Sequence, residues 1–479
     1  MKNFLKNARF GLIITGIFLA ICIVIISLII ASNLLSAKYI LIGGLAIILI
    51  AGGIFALTMN IKKRALTVVG GIIALFFSVI LFVGYFYIGA GVNTLKQISG
   101  NKTEYTESAI YVRKDDPAKK LADIEGYALG ILATVDRDVT DEALKTIGEK
   151  ATFSLQTSEF DGLTALLDAL LENGSVGAIL LNKGFFDLID ELDYREGAIA
   201  ELRELYTIRT EKTTELPEQE NPDVFTLYIS GIDCSGSLRR TSRSDVNIIA
   251  TVNKKTGEIA LVTTPRDFYV PLSISKGIPD KLTHAGVYGV DVSRETLEML
   301  YDIKIDYYFK LNFDGFKEII NALDGITVNS KYNFKMGEYT YTKGENFLDG
   351  DAALAFARCR KTVTGGEYTR GLHQMEIIKG VIARLTSPAV LINYNSLLDG
   401  MANSFETNVP YEKIAELVRE QLDVGTKWNV TSYSTYGTGS TERVYSLRAR
   451  AYVVLPDSAA VEHAKNLMAA VRNGKHPEG

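Results

Sequence analysis

The first 90 residues contain no Asp or Glu, and three uncharged runs fill most of them: Phe10 to Ala37, Tyr39 to Ile61 and Ala65 to Leu95. Each run exceeds the roughly 20 apolar residues needed to cross a bilayer as a helix. Residues 1–95 are therefore predicted to be a membrane anchor, with transmembrane helices at about 11–31, 40–59 and 65–90. A cleaved signal segment does not fit, because its apolar region is only about 7 to 15 residues long and two more spans follow here. Lys2, Lys6 and Arg9 precede the first span, and Lys62, Lys63 and Arg64 separate the second from the third, whereas Lys38 stands alone between the first two. Positive loops stay cytoplasmic. The N-terminus is thus expected inside, and everything after about residue 91 outside the cell membrane.

Seven of the 51 Lys and Arg residues lie before residue 91, so the remainder carries 44 basic against 56 acidic residues, a formal charge of −12. Such an ectodomain lacks the extended positive surface that nucleic acid requires. Its compartment also excludes reactions that consume cytosolic ATP. Of the three cysteines, Cys22 falls in the first span, while Cys234 and Cys359 lie outside, where a disulfide is permitted. Small apolar fillers in strands account for the outer pair more simply.

Residues 211–223 are polar and include Pro217 and Pro222, the signature of a linker. Before it, residues 98–210 are predicted to form a smaller α/β accessory domain with no catalytic residue set. There Phe160, Leu163, Leu167 and Leu170 recur at spacings of three and four, marking one helix face that ends at Gly174. After it, residues 224–475 alternate strands with helices. A strand runs into Gly231-Ile232-Asp233; residues 247–253 and 258–264 form a hairpin across Lys-Lys-Thr-Gly; and two helices follow, one carrying Phe313, Phe316, Ile320 and Leu323 on a face. The fold class is α/β (α+β), a mixed sheet with helices on its faces.

Charge concentrates at the expected strand ends: Asp233, the run Arg239 to Asp245, Pro265-Arg266-Asp267, Ala357-Arg358-Cys359-Arg360, and Glu367 to Gln374. Residues two apart in a strand share a side, which would pair Arg243 with Asp245 and Arg358 with Arg360. Two cations about 7 Å apart on one face repel unless an anion bridges them, and the arginine fork matches phosphate oxygens. Asp233 and Asp245 would repel a bare phosphate, so a divalent cation is the natural mediator. Oxygen ligands suit Mg²⁺, or Mn²⁺ in its place, better than zinc. No P-loop, GxGxxG or GxSxG motif is present.

The ordered set of GID, SRSD, PRD, KLTHA at Lys281 to Ala285, ARCR, and Arg370-x-x-x-Gln374 resembles the LytR-CpsA-Psr (LCP) family over about residues 223 to 475. Three spans and an extra outer domain are similar to its capsule-associated, streptococcal-type members. The resemblance implies transfer of capsular polysaccharide from a polyprenyl-pyrophosphate carrier onto cell-wall peptidoglycan. It places Mg²⁺ on Asp233 and Asp245, and the pyrophosphate on Arg243, Arg266, Lys281, Arg358, Arg360, Arg370 and Gln374. Asp245, Arg266, Asp267 and Arg360 are the implied catalytic set, with Asp267 either orienting Arg266 or assisting the incoming hydroxyl. Implied partners are the carrier-linked polymer, peptidoglycan, the membrane and proteins of capsule synthesis and export, with no nucleic acid. Two positions depart from the family pattern: Glu367 replaces an Asp, and His373 replaces an Arg, which implies a weaker or pH-sensitive clamp. The competing reading is a membrane-bound regulator that binds carrier-linked polymer, or a hydrolase of the pyrophosphate.

Overall fold

A computed structural model describes residues 2–59, 64–100, 103–189, 191–192, 197–213, 223–232, 237–360, 365–387 and 404–477. The chain divides into two compact units: residues 1–99 with 391–402 and 409–427, and residues 100–390 with 403–408 and 428–479.

The first unit is built on three apolar helices, α1 (Lys2–Ser32), α2 (Ala37–Thr58) and α3 (Arg64–Ile98). Their membrane-length stretches are Gly11–Ser32, Ala37–Thr58 and Ala65–Ile98. They pack around Phe18, Cys22, Ala51, Ile54 and Ala74, and leave side chains such as Leu41, Leu49, Ile72 and Phe82 exposed, as lipid-facing positions require. A fourth helix, Tyr411–Val424 (α12 in chain order), belongs to this unit and docks on the α1–α2 turn. The Tyr411 hydroxyl donates to the Ser32 carbonyl at 2.5 Å, Ser36 donates to Asp423 at 2.6 Å, and Tyr39 donates to the Leu422 carbonyl at 2.9 Å. Lys38 adds an ion pair to Asp423 at 3.2 Å.

The second unit holds two sheets. The accessory sheet combines β1 (Thr103–Arg113), β2 (Ala128–Leu132), β3 (Gln156–Phe160), β4 (Ala178–Asn182) and β5 (Leu202–Thr213) in the order β3-β2-β4-β1-β5. Helices α4 (Arg137–Lys150), α5 (Leu163–Leu171) and the short α6 (Phe186–Ile189) complete it. Phe160 closes β3, so the helix predicted from Phe160 starts only at Leu163; Leu163, Leu167 and Leu170 are its buried face. β5 continues through Thr213, so the predicted linker begins as strand, and residues 214–222 lie outside the described residues.

The larger sheet has the order β16-β11-β6-β7-β8-β17, from β6 (Val224–Ile232), β7 (Ser244–Asn253), β8 (Glu258–Thr264), β11 (Tyr307–Asn312), β16 (Phe405–Thr407) and β17 (Asn429–Ser434). The β7–β8 hairpin turns where predicted, with Asn253 opposite Glu258. β6 pairs parallel with β11, and β8 pairs parallel with β17. Small ribbons join these strands: β9 (Tyr269–Pro271) with β10 (Pro279–Lys281), β12 (Ile326–Ser330) with β15 (Gly344–Leu348), β13 (Phe334–Met336) with β14 (Tyr339–Tyr341), and β18 (Gly437–Arg443) with β19 (Arg450–Pro456). Helices α7 (Leu282–Ala285), α8 (Val290–Tyr301), α9 (Phe313–Ala322), α10 (Gly350–Arg358), α11 (Gly366–Leu385) and α13 (Ser458–Arg472) complete the fold.

Alternation along β1 feeds two cores, because neighbouring residues face opposite ways. Ile110 and Val112 join Leu129, Ile147 and Leu180 on one side. Ala109 and Tyr111 face the other, where Leu166, Leu170 and Leu188 meet Val287, Val292, Val444 and Leu447 from the larger fold. The accessory sheet therefore shares a core with segments that flank the larger sheet, while the larger sheet buries Tyr228, Ile249, Val262 and Tyr308 in a cluster of its own. Backbone bonds reinforce the contact: Tyr105 N–H donates to Arg239 O at 2.8 Å, and Thr241 N–H donates to Tyr105 O at 3.1 Å. Glu104 on β1 forms a buried ion pair with Lys310 on β11 and accepts from the Val290 N–H at 2.9 Å.

Candidate phosphate-binding site

Because β6 and β8 run the same way, the C-terminal ends of both meet the start of β7 at one edge of the sheet, the end where open α/β sheets place ligands. Buried hydroxyls set this edge: Ser244 bonds Tyr228 at 2.9 Å and Ser230 at 2.8 Å. Gly286 lets the segment after α7 press against it, since a Cβ there would lie 2.4 Å from the Ser242 carbonyl oxygen. That approach brings Lys281 and His284 beside Arg243. Gly371 does the same for α11: a Cβ would lie 2.6 Å from Thr263 of β8. Arg370 is thereby held over the sheet end.

The resulting side chains form two ion-pair clusters, close enough to influence each other's charge. Arg266 donates to Asp245 at 3.0 Å, and Thr283 donates to the other Asp245 oxygen at 3.0 Å. Asp267 lies 3.7 Å from both Arg266 Nε and Lys281 Nζ, too far for a hydrogen bond. Lys281 contacts Glu191 at 2.5 Å, and Arg243 contacts Glu191 at 3.3 Å and Asp187 at 3.7 Å. Glu367 bridges Arg360 at 3.2 Å and Arg370 at 2.6 Å. Beneath them, His284 bonds Asp280 at 2.7 Å, and Asp280 also accepts from the Ser446 N–H at 2.8 Å. Among the described residues, Arg243, Arg266, Lys281, His284, Arg360 and Arg370 thus face Asp187, Glu191, Asp245, Asp267, Asp280 and Glu367, six cationic groups against six carboxylates.

Crowding leaves a signature on the charges. Burial works against the Arg266 guanidinium, but Asp245 and then Asp267 hold its pKa above the ordinary range. Burial lowers the Arg370 pKa, and nearby Arg266 and Arg360 add to that effect against the pull of Glu367 and Asp245. Burial opposes the charge on His284 too, yet Asp280 and then Glu191 lift its pKa to about 9. Its Nε2 sits 3.5 Å from Glu191, within ion-pair reach but without hydrogen-bond geometry. Arg243 Nε and Arg266 Nε are likewise buried donors with no hydrogen-bond acceptor among the described residues.

Raising a histidine pKa from its unfolded value near 6.5 stabilises the fold fully below about pH 6.5, and that stability is lost as pH rises through about 9. Thermal unfolding of the detergent-solubilised chain should therefore weaken between pH 7 and 9, by an amount on the order of a few kcal/mol. His284→Gln should flatten that dependence. An unchanged pH profile in the variant would remove His284 as its source.

Several sequence expectations are revised here. Arg358 and Arg360 do not share a strand face: Asp349 caps α10 by accepting from the Ala352 N–H, the Ala-rich run buries Ala353, Phe356 and Ala357, and Arg358 is the last helical residue. Arg358 stacks on the Phe313 ring at 4.7 Å, while Arg360, beyond the helix, turns to Glu367. Arg243 precedes β7 and turns to Glu191, whereas Asp245 faces Arg266. His373 does not stand in for a clamp cation. It is buried between Phe356 and Phe334, at 4.2 and 5.1 Å between ring centres, and burial lowers its pKa to about 4. Gln374, one turn after Arg370, is half-buried and makes no hydrogen bond to a described residue. Asp233 and Cys234 lie outside the described residues, and Cys359 is buried with no disulfide to a described residue. Glu191, Asp187, Thr283, His284 and Asp280 were not among the predicted site residues. His284 lies within the Lys281–Ala285 segment, but a position alone did not reveal its partners.

The LytR_cpsA_psr family description matches residues 198–466. The chain is 31% identical over 210 residues to the polyisoprenyl-teichoic acid–peptidoglycan teichoic acid transferase TagU of Bacillus licheniformis, covering 44% of this chain and 68% of that one. It is 30% identical over 219 residues to the Bacillus subtilis protein of the same name, covering 46% and 70%. Among solved structures, B. subtilis TagV aligns with a TM-score of 0.43 at 25% identity, over 53% of this chain and 98% of that one. A structure described as TagT bound to LI-WTA aligns with a TM-score of 0.42 at 27% identity, over 54% and 93%.

Proposed function

The chain belongs to the LytR-CpsA-Psr family, and from that premise we propose that it transfers a capsular glycopolymer from a polyprenyl-pyrophosphate carrier onto peptidoglycan at the outer face of the membrane. The observation that carries this reading is the convergence of Arg266, Arg360 and Arg370, close enough that two of them help depress the pKa of the third. Like charges gathered at a sheet end are relieved by a polyanion. The transferase names of the curated relatives support the same reaction class. The three membrane-length stretches, with basic residues before Gly11 and between Thr58 and Ala65, support a cytoplasmic N-terminus and an outward-facing site.

In this reading Arg243, Arg266, Lys281, Arg360 and Arg370 hold the pyrophosphate, with Arg358 and Gln374 at its margin. The acceptor hydroxyl attacks the phosphorus attached to the glycan, the bond to the bridging oxygen breaks, and polyprenyl phosphate leaves with the electron pair. A phosphodiester joins glycan to wall. The hydroxyl proton goes to Asp267, whose oxygens make no hydrogen bond to a described side chain, whereas both Asp245 oxygens are already bonded. Arginines placed around the leaving phosphate stabilise the charge that develops there.

The donor chemistry fits magnesium, or manganese. Each Asp245 oxygen carries one bond and keeps a lone pair, and Mg²⁺ commonly takes one or two carboxylates together with substrate phosphate and water. Asp245 would hold the ion with Asp233, and the ion would supply further neutralisation of phosphate charge.

Detergent-solubilised protein given carrier-linked glycan and a peptidoglycan fragment should release one polyprenyl phosphate per glycan joined to the acceptor. EDTA should suppress both products and added Mg²⁺ should restore them. Release without joining would identify a hydrolase, and tight binding without release a regulator.

A further inference from the structure

Glu191 belongs to the accessory part of the chain, seven residues before the family match begins at residue 198, yet its carboxylate lies inside the site. Lys281 contacts Oε2 at 2.5 Å, Arg243 contacts Oε1 at 3.3 Å, and His284 approaches Oε2 at 3.5 Å. These cations come from the end of β10, the residue before β7, and α7. One carboxylate from outside the family fold thus gathers Arg243 with Lys281 and His284, which follow Arg243 by 38 and 41 residues. Two of them, Arg243 and Lys281, are cations assigned above to the pyrophosphate. Carboxylate and phosphate oxygens draw on the same N–H donors, so both anions cannot occupy them together at full strength.

We propose that Glu191 is an internal stand-in for a phosphoryl group, holding Arg243 and Lys281 until the pyrophosphate of the substrate displaces it, and thereby setting the affinity of the site. This rests on the pyrophosphate reading given above. Several features support competition. Although burial opposes its charge, His284 and then Lys281 hold the Glu191 pKa well below the usual carboxylate range, so the competitor is ionised at every working pH. Glu191 already partners Arg243 and Lys281, so a phosphate must displace that carboxylate to draw fully on their donors. Glu191, like Glu367 between Arg360 and Arg370, holds two phosphate-binding cations at once, and it is the one that lies outside the family match. A purely orienting role predicts the opposite sign: without Glu191 the cations would lose their arrangement and anion affinity would fall.

Titration calorimetry of the full chain in detergent, with inorganic pyrophosphate and Mg²⁺, separates these outcomes. Glu191→Gln keeps the side-chain shape and removes the charge, and is expected to bind pyrophosphate about tenfold or more tightly than the unchanged protein. Glu191→Asp keeps the charge with a shorter reach, and should fall between the two. It also provides a reading if the Gln variant folds poorly. Pyrophosphate should raise the thermal midpoint of Glu191→Gln by more than it raises that of the unchanged protein. Equal or weaker binding by both variants overturns the proposal, while Arg266-dependent binding in the unchanged protein would leave the pyrophosphate reading standing. No measurable binding by any of the three proteins overturns both.

Discussion

Arg266→Ala is expected to lower glycopolymer transfer by about 10²- to 10³-fold, the usual consequence of deleting one preorganised donor aimed at developing charge. Arg266 is mostly buried between Asp245 and Asp267, and those carboxylates hold its charge firmly. It also lies close enough to Arg370 to lower that residue's pKa. Its loss would leave the departing phosphate with less compensation and Asp245 with Thr283 alone. The effect should fall on turnover more than on apparent substrate affinity, because Arg243, Lys281 and Arg360 still hold the pyrophosphate. Arg266→Lys should recover part of the loss, since an ammonium restores the charge without the planar fork. Release of polyprenyl phosphate, measured alongside the thermal midpoint, checks this. If a well-folded Arg266→Ala protein kept more than a tenth of the turnover, Arg266 would not be at the chemical centre.

The second large effect concerns stability. Glu104→Ala should cost about 3–5 kcal/mol, the range for removing one partner of a buried ion pair. The side chains of Glu104 and Lys310 are 7% and 3% exposed, and Glu104 also accepts the Val290 N–H at the start of α8. Without Glu104, the Lys310 ammonium keeps, among the described residues, the Arg240 carbonyl at 3.4 Å. Pairing the change with Lys310→Met removes the stranded charge and should recover much of the loss. Urea unfolding should show the midpoint fall with an unchanged slope. A cost under about 1 kcal/mol would mean that water reaches the pair.

What was legible in the sequence followed from local rules. Span length and the absence of acids located the membrane helices; the Lys-Lys-Thr-Gly turn located the β7–β8 hairpin; and the charged motifs marked the sheet edge where Arg243, Asp245, Arg266, Asp267, Lys281, Arg360 and Arg370 converge. The failures have physical causes. Reading Arg358-Cys359-Arg360 at a period of two overlooked the Asp349 cap and the Ala-rich run that continue a helix through Arg358. His373 was weighed as a missing charge, whereas its aromatic neighbours make it a core residue. Glu191 left no local trace, since its contacts to Lys281 and Arg243 span 90 and 52 residues. The core that the accessory sheet shares with segments flanking the larger sheet was equally hidden. Val287, Val444 and Leu447 read as ordinary core positions, and periodicity does not say which sheet they cover.

The bond between Ser36 and Asp423 joins residues 387 positions apart. At synthesis rates of about 5–20 residues per second, the α1–α2 turn is made roughly 20 to 80 s before its partner helix exists. During that interval the membrane helices must hold their insertion by their own packing and flanking charges. The docked helix then acts as a late clasp, formed only after residues 411–424 have left the ribosome. A chain interrupted before residue 411 would leave the turn unclasped, without the bonds that Ser36, Lys38 and Tyr39 make to the later helix.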